Sequence, residues 1–296
     1  MRLAAICLTV ALLLPNVALA QLRVQDGLDA LVASDAETAR EIWEKLAERG
    51  DVLAQYNLGL LLLMGQGVAP DRAAALGLIE AAATQDHLPA QRLLADVLME
   101  AEDWAAARHW YARAAAQGDA QAQFALGVLK EQGLGGNVAP ERAQAQYAAA
   151  ADQGYVPAIF ALGALLAEAG EAARAADKFE RAAEAGHVEA KHNLGVALSQ
   201  GLGRAQDAEA ARGWYLRAAQ AGHAPAAHNL ALMLAQGRGG ARSFRRALAW
   251  ALVADEAGHA PAQTLVATLR EIMAADVIAA AEAMAAACAE DPATCE

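Results

Sequence analysis

The sequence predicts an all-α protein, an α-solenoid winding as a right-handed superhelix of about six to seven helix-turn-helix units. Three observations predict it. The 296 residues are 56% apolar but only 5% aromatic, so the apolar excess is mostly alanine, the residue that loses least on entering a helix. The stretch "GHVEAKHNLGVALSQGLG" from Gly186 returns as "GHAPAAHNLALMLAQGRG" from Gly222. With the residue that opens each copy as an anchor, seven copies begin at Gly50, Asp86, Gly118, Gly154, Gly186, Gly222 and Gly258, spaced 36, 32, 36, 32, 36 and 36 residues apart. Such a period marks stacked units, each too small to bury its own apolar face.

The first element is an export signal. "MRLAAICLTVALLLPNVALA" has Arg2, an apolar run from Leu3 to Leu14, and Ala18-Leu19-Ala20 ahead of Gln21, the layout of a signal peptide cleaved after Ala20. The run is shorter than the ~20 residues a bilayer span needs, and no later one approaches that length. Residues 1–20 are expected to be removed, leaving a periplasmic or secreted chain with no membrane insertion. Residues 21–34 are expected to cap the front of the solenoid. "SDAE", Ser34 to Glu37, has the capping-box spacing that opens a helix, so residues 35–273, the repeat region, are expected to start with a lone second helix.

Within each copy the first helix is read from a fixed pattern. Four residues past the anchor stands Ala54, Ala90, Ala122, Ala158, Ala190, Ala226 and Ala262, and eight past it Leu58, Leu94, Leu126, Leu162, Leu194, Leu230 and Val266. A spacing of four places both on one helix face. The ninth position is always glycine or alanine, which lets another element approach closely. The helix before each anchor carries alanine eleven residues ahead of it, from Ala39 to Ala247, and a large residue seven ahead, Trp43, Ile79, Tyr111, Tyr147, Phe179 and Tyr215, the last copy shifting its ring to Trp250. The short copies, at Asp86 and Gly154, lack the glycine pairs found at Gly65/Gly67, Gly133/Gly135, Gly201/Gly203 and Gly237/Gly239. Their missing four residues are therefore expected in the loop between the helices, where deletion is tolerated. Residues 274–296 close the chain with a helix expected over 276–287 and a tail in which Cys288 and Cys295 favour a disulfide over two free thiols in an exported protein.

"AQYNLGLLLLMGQGVAPDRAAALGLIEAAA" from Ala54 and "AKHNLGVALSQGLGRAQDAEAARGWYLRAAQAG" from Ala190 carry A-x-x-x-[LV]-[GA], a G-x-G turn, and an aromatic-x-x-A-A-x-x-G second helix. This pattern resembles the Sel1-like repeat, a relative of the tetratricopeptide repeat. The resemblance covers roughly residues 35–273 and implies an interaction role. Asp86 in place of glycine, Leu76 where tryptophan is common, and the degraded copy after Gly258 depart from it.

Chemistry is sparse by comparison. His187/His192 and His223/His228 sit five residues apart, which is 140° from alignment on a helix, and equivalent helices are expected roughly 18 Å apart with one helix between them. No shared metal site is expected. His87, His187, His223 and His259 follow anchors and read as solvated turn residues. The glycine turns follow helices, not strands, and none completes a phosphate-binding motif; no cofactor is expected. Ser34, Ser199 and Ser243 lie in no nucleophile motif. Cysteine-rich Sel1-like proteins linked to β-lactam or peptidoglycan chemistry supply an enzymatic alternative, but their disulfides in every repeat are missing here. Net charge is −12, or −13 after signal removal, which disfavours nucleic acid and anionic membrane surfaces.

What remains is the sixth and seventh positions past each anchor. If the first helices line a concave face as in tetratricopeptide repeats, Tyr56, Asn57, Arg92, Phe124, Phe160, His192, Asn193, His228 and Asn229 form a row on it. Rings suit side chains and amides suit backbone groups of an extended peptide. The expected function is an exported, non-catalytic scaffold or adaptor binding a protein or peptide partner.

Overall fold

A computed structural model describes residues 23–290. Among them are sixteen helices and no strand. The signal reading at 1–20 and Cys295 lie outside the described residues. The helices are α1 (Val24–Val32), α2 (Ala36–Ala47), α3 (Val52–Met64), α4 (Arg72–Thr84), α5 (Leu88–Glu100), α6 (Trp104–Ala116), α7 (Ala120–Gln132), α8 (Pro140–Asp152), α9 (Val156–Glu168), α10 (Ala172–Glu184), α11 (Val188–Gln200), α12 (Ala208–Gln220), α13 (Ala224–Gln236), α14 (Phe244–Glu256), α15 (Pro261–Ile272) and α16 (Ala275–Glu290). The chain divides within α5, between Leu94 and Ala95, into two compact units. In each unit consecutive helices pack on one another, α1 on α2 and α3 on α4 in the first, α7 through α14 in the second.

All helices from α3 to α14 are 13 residues long. The difference between long and short copies therefore falls wholly in the interhelix loop, 65–71 in the first copy against 101–103 in the second. The seven alanines four past the anchors are all 0% exposed. They form the wall against which neighbouring helices close.

The ninth position has a definite task. A Cβ built on Gly127 would lie 2.5 Å from the Tyr147 ring, and one on Gly195 2.7 Å from Tyr215. Gly59 and Gly163 meet Ile79 and Phe179 in the same way. Each large residue of a second helix is thus seated directly on the backbone of the first helix of its own copy. The tyrosines keep their hydroxyls satisfied, Tyr147 donating to Glu131 at 2.7 Å and Tyr111 to Asp96 at 2.5 Å. Burial and the neighbouring Glu131 carboxylate push the Tyr147 hydroxyl far above its ordinary pKa.

The solenoid does not begin with a lone second helix. Gly27 of α1 receives the Trp43 ring of α2, at the sixteen-residue separation that joins Gly163 to Phe179 in a short copy, and Trp43 Nε1 donates to Val24 O at 3.1 Å. α1 and α2 therefore form a further short unit. α2 is capped by Asp35, which accepts from Thr38 N at 3.0 Å, and not by Ser34. Ser34 instead has φ 63°, as Glu102 has φ 58° and Gly170 φ 79° at the equivalent loop position of the other short copies. At the far end α16 packs on α14 and pairs with α15 through Arg270 and Glu282 at 2.7 Å. Covered on more sides, α14 buries seven residues, against four in α12.

The glycine loops are docked, not free. A Cβ on Gly203 would lie 2.2 Å from the backbone of Ala172, and Gly203 has φ 72°. Glycine is required there twice, for the left-handed conformation and for the close approach. Arg204 in the same loop reaches Glu180 at 3.2 Å and Asp177 at 3.5 Å, so this loop fastens its copy to the preceding one.

Candidate functional site

The sixth and seventh positions sit mid-way along α3, α5, α7, α9, α11 and α13, each half-buried. The sixth-position side chain meets the residue that follows the next anchor. In the first unit Tyr56 lies 4.7 Å, ring to ring, from His87. In the second, Phe124 lies 5.5 Å from Tyr155, Phe160 4.3 Å from His187 in a stacked pair, His192 4.7 Å from His223, and His228 5.1 Å from His259. Three of these rings also rest near the large residue of their own second helix: Phe124 on Tyr147, Phe160 on Phe179, His192 on Tyr215. The row is therefore partly a seam between copies.

The histidines after the anchors are not solvated turn residues. His187 and His223 are N-caps, accepting from Ala190 N at 3.3 Å and Ala226 N at 3.2 Å through Nδ1. Asp51 and Asp119 do the same work for Ala54 and Ala122. Accepting at Nδ1 requires the neutral imidazole with its proton on Nε2. Burial lowers the pKa of His87, His187, His192, His223 and His228.

The asparagines differ by copy. The Asn229 amide donates to His192 Nε2 at 3.1 Å, and His192 Nδ1 then donates to Asn193 Oδ1 at 3.2 Å. Across copies, long side chains thus span the gap between equivalent first helices, His192 reaching Asn229. Asn57 makes no side-chain hydrogen bond among the described residues. Arg92 is half-buried and engaged. Among the described residues no three His, Cys, Asp or Glu side chains gather as metal ligands.

Beside Asn193 the second unit opens a recess of about 470 Å³. Its floor is Ala175, Ala176 and Phe179 of α10, its sides Asn193 and Val196 of α11, and Glu168 of α9 stands at its mouth. Alanines dominate the lining, Ala164 and Ala167 of α9 and Ala172 of α10 among them. Leu202, from the next copy's loop and 47% exposed, rims it.

Sequence reasoning missed one recurrent group. Gln55, Gln91 and Gln123, five past the first three anchors, are buried and donate to the carbonyls of Ala47, Ala83 and Ala115. The repeated Ala-Gln pair was the available signal. These amides fasten each first helix to the end of the second helix before it.

Comparison with known proteins places these features in context. The Sel1 repeat family model matches residues 17–51, 52–87, 103–119, 120–155, 188–223 and 224–259. The stretches it leaves between these, 88–102 and 156–187, fall in the two short copies. An uncharacterized protein of Neisseria meningitidis serogroup B is 38% identical over 100 residues, 33% of this chain and 21% of that protein. The crystal structure of a protective antigen of uropathogenic Escherichia coli strains, displaying an SLR fold, superposes with a TM-score of 0.76 at 28% identity, over 91% of this chain and 61% of that one. A Sel1 repeat protein from Oxalobacter formigenes gives 0.65 at 28% identity, over 83% and 75%. The chain thus spans about a fifth of the curated relative and about three fifths of the E. coli protein's chain.

Proposed function

The chain belongs to the Sel1 repeat family, and from that premise we propose that it is an exported, non-catalytic scaffold holding a protein or peptide partner on its first-helix face. The observation that carries the reading is the alanine-lined recess opening directly beside Asn193 of the row. Such a recess accepts one apolar side chain of an extended segment, while neighbouring amides meet its backbone. The half-buried rings at Phe160 and His192 supply flanking contact area. Export rests on the signal-like residues 1–20 and is supported by the similar E. coli protein being described as a protective antigen. The role fits an envelope component, in signalling regulation or envelope assembly.

A photoreactive residue at exposed Ala167, which lines the recess, tests the reading against one at exposed Glu209 on a second helix. In an envelope fraction, position 167 is expected to give a discrete protein adduct and position 209 none. An adduct from 209 alone would place the binding surface on the other helices.

A further inference from the structure

The row changes character along the second unit. In copies three and four its ring pairs are Phe124/Tyr155 and Phe160/His187; in copies five and six both members are imidazoles, His192/His223 and His228/His259. Two of these histidines serve as helix caps, where the first and third copies use aspartate. His192 has both ring nitrogens committed, to Asn193 and Asn229. We propose that His187, His192, His223 and His228 form an acid-responsive clasp: neutral, they hold copies five and six closed, and protonated, they loosen the starts of α11 and α13.

The hydrogen bonds fix the direction of the response. A proton added at Nδ1 of His187 or His223 turns the cap acceptor into a donor facing the Ala190 or Ala226 N–H, and sets a positive charge at a helix N-terminus, where the dipole opposes it. A proton added at His192 Nε2 faces the Asn229 amide. Charge on both rings of the His192/His223 pair brings like charges within 4.7 Å.

The surrounding groups do little to relieve this. Glu189 of α11 favours the charged forms of His187 and His223 and lies 3.4 Å from His187 Nδ1, yet burial outweighs it at both. From α12 the His192 ring meets Tyr215, whose hydroxyl is engaged with Ser199 at 3.3 Å and feels Arg238. From α9 His187 meets uncharged Phe160. From the α14–α15 turn His259 disfavours charge on His192, His223 and His228. With folded pKa values lowered, the unfolded chain takes up protons first, so the stabilisation is complete above about pH 6.5 and is lost as pH falls below it.

The clasp lies in the proposed binding face, and the inference rests on that reading only for its consequence, release of the partner in acid. The experiment reads the free chain, so failure of one is distinct from failure of the other. Amide hydrogen exchange of the full chain, corrected for its intrinsic pH dependence, is compared at pH 7.5 and pH 5. Protection of Ala190 and Ala226 is expected to fall roughly fivefold, the scale of a lost N-cap, while Ala54 and Ala122, capped by aspartate, hold theirs. In His187→Asp/His223→Asp, which imports the chain's own alternative, the loss at 190 and 226 disappears. Imidazole titration by NMR in the unmodified chain stands independently of that variant. Titration of His187 and His223 at or above 6.5, or unchanged protection of Ala190 and Ala226 at pH 5, overturns the proposal.

Discussion

Two glycines in successive helices have opposite meanings. At Gly195 a Cβ would lie 2.7 Å from the Tyr215 ring, whereas at Gly213 of α12 it would meet nothing within 4 Å. Gly195→Ala should therefore cost about 1–3 kcal/mol through overpacking, and Gly213→Ala should stabilise by about 0.5–1 kcal/mol through helix propensity alone. Denaturant melts of the two variants check both signs. Glu102 offers a third case: its φ of 58° is the conformation that Gly170 holds in the other short copy. Glu102→Gly should stabilise by about 0.5–1 kcal/mol, read as a higher denaturation midpoint, since relief of the left-handed strain exceeds the added entropy of the unfolded chain.

Helices, loops and caps were legible to different degrees. The wall alanines, the leucines and the large knobs were visible because their contacts obey helical spacing within a copy, and every wall alanine is buried as that spacing requires. Ala190→Leu or Ala226→Leu, pressed into a site with no exposed surface, should cost roughly 1–3 kcal/mol, measurable by thermal melting. The histidine caps were not legible, because side-chain capping is ordinarily the work of Ser, Thr, Asp or Asn. The equivalence of His187 with Asp119 becomes meaningful only once Nδ1 is seen on the Ala190 amide. The ring seam was hidden for another reason. It joins residues 27 or 31 positions apart, as in Phe160 and His187 or His192 and His223, beyond any local period. The loops misled in the opposite direction: sequence reads Gly201–Arg204 as freely removable, but Gly203 sits on Ala172 and Arg204 grips Glu180. Removing these four residues should lower stability even though the second and fourth copies lack them, because those copies carry alanine and short loops to match. A deletion variant that melts like the parent would show the docking to be incidental.

On the scale of the whole chain, stability in a solenoid is close to a sum of units and their interfaces, and terminal units must hide the last apolar face. α16 does this for α14. Truncation after Ala274 should expose Leu248, buried at 0%, and drive self-association detectable by light scattering. Cys288, 4% exposed, lies in the last turn of α16; in exported protein a bridge to Cys295 would close an eight-residue ring contributing about 2.5 kcal/mol, and non-reduced material should hold no alkylatable thiol. The central claim, that the first-helix face holds a protein partner, is tested most directly by affinity. With the partner identified by crosslinking from position 167 and purified, the parent chain is compared with Ala167→Trp, which fills the recess from an exposed position, and with Asn193→Ala, which removes the amide at its side. Both variants are expected to fold and to bind at least about tenfold more weakly, the loss of about 1.4 kcal/mol that one central contact supplies; unchanged affinity in folded variants would contradict the account and move the binding surface off this face.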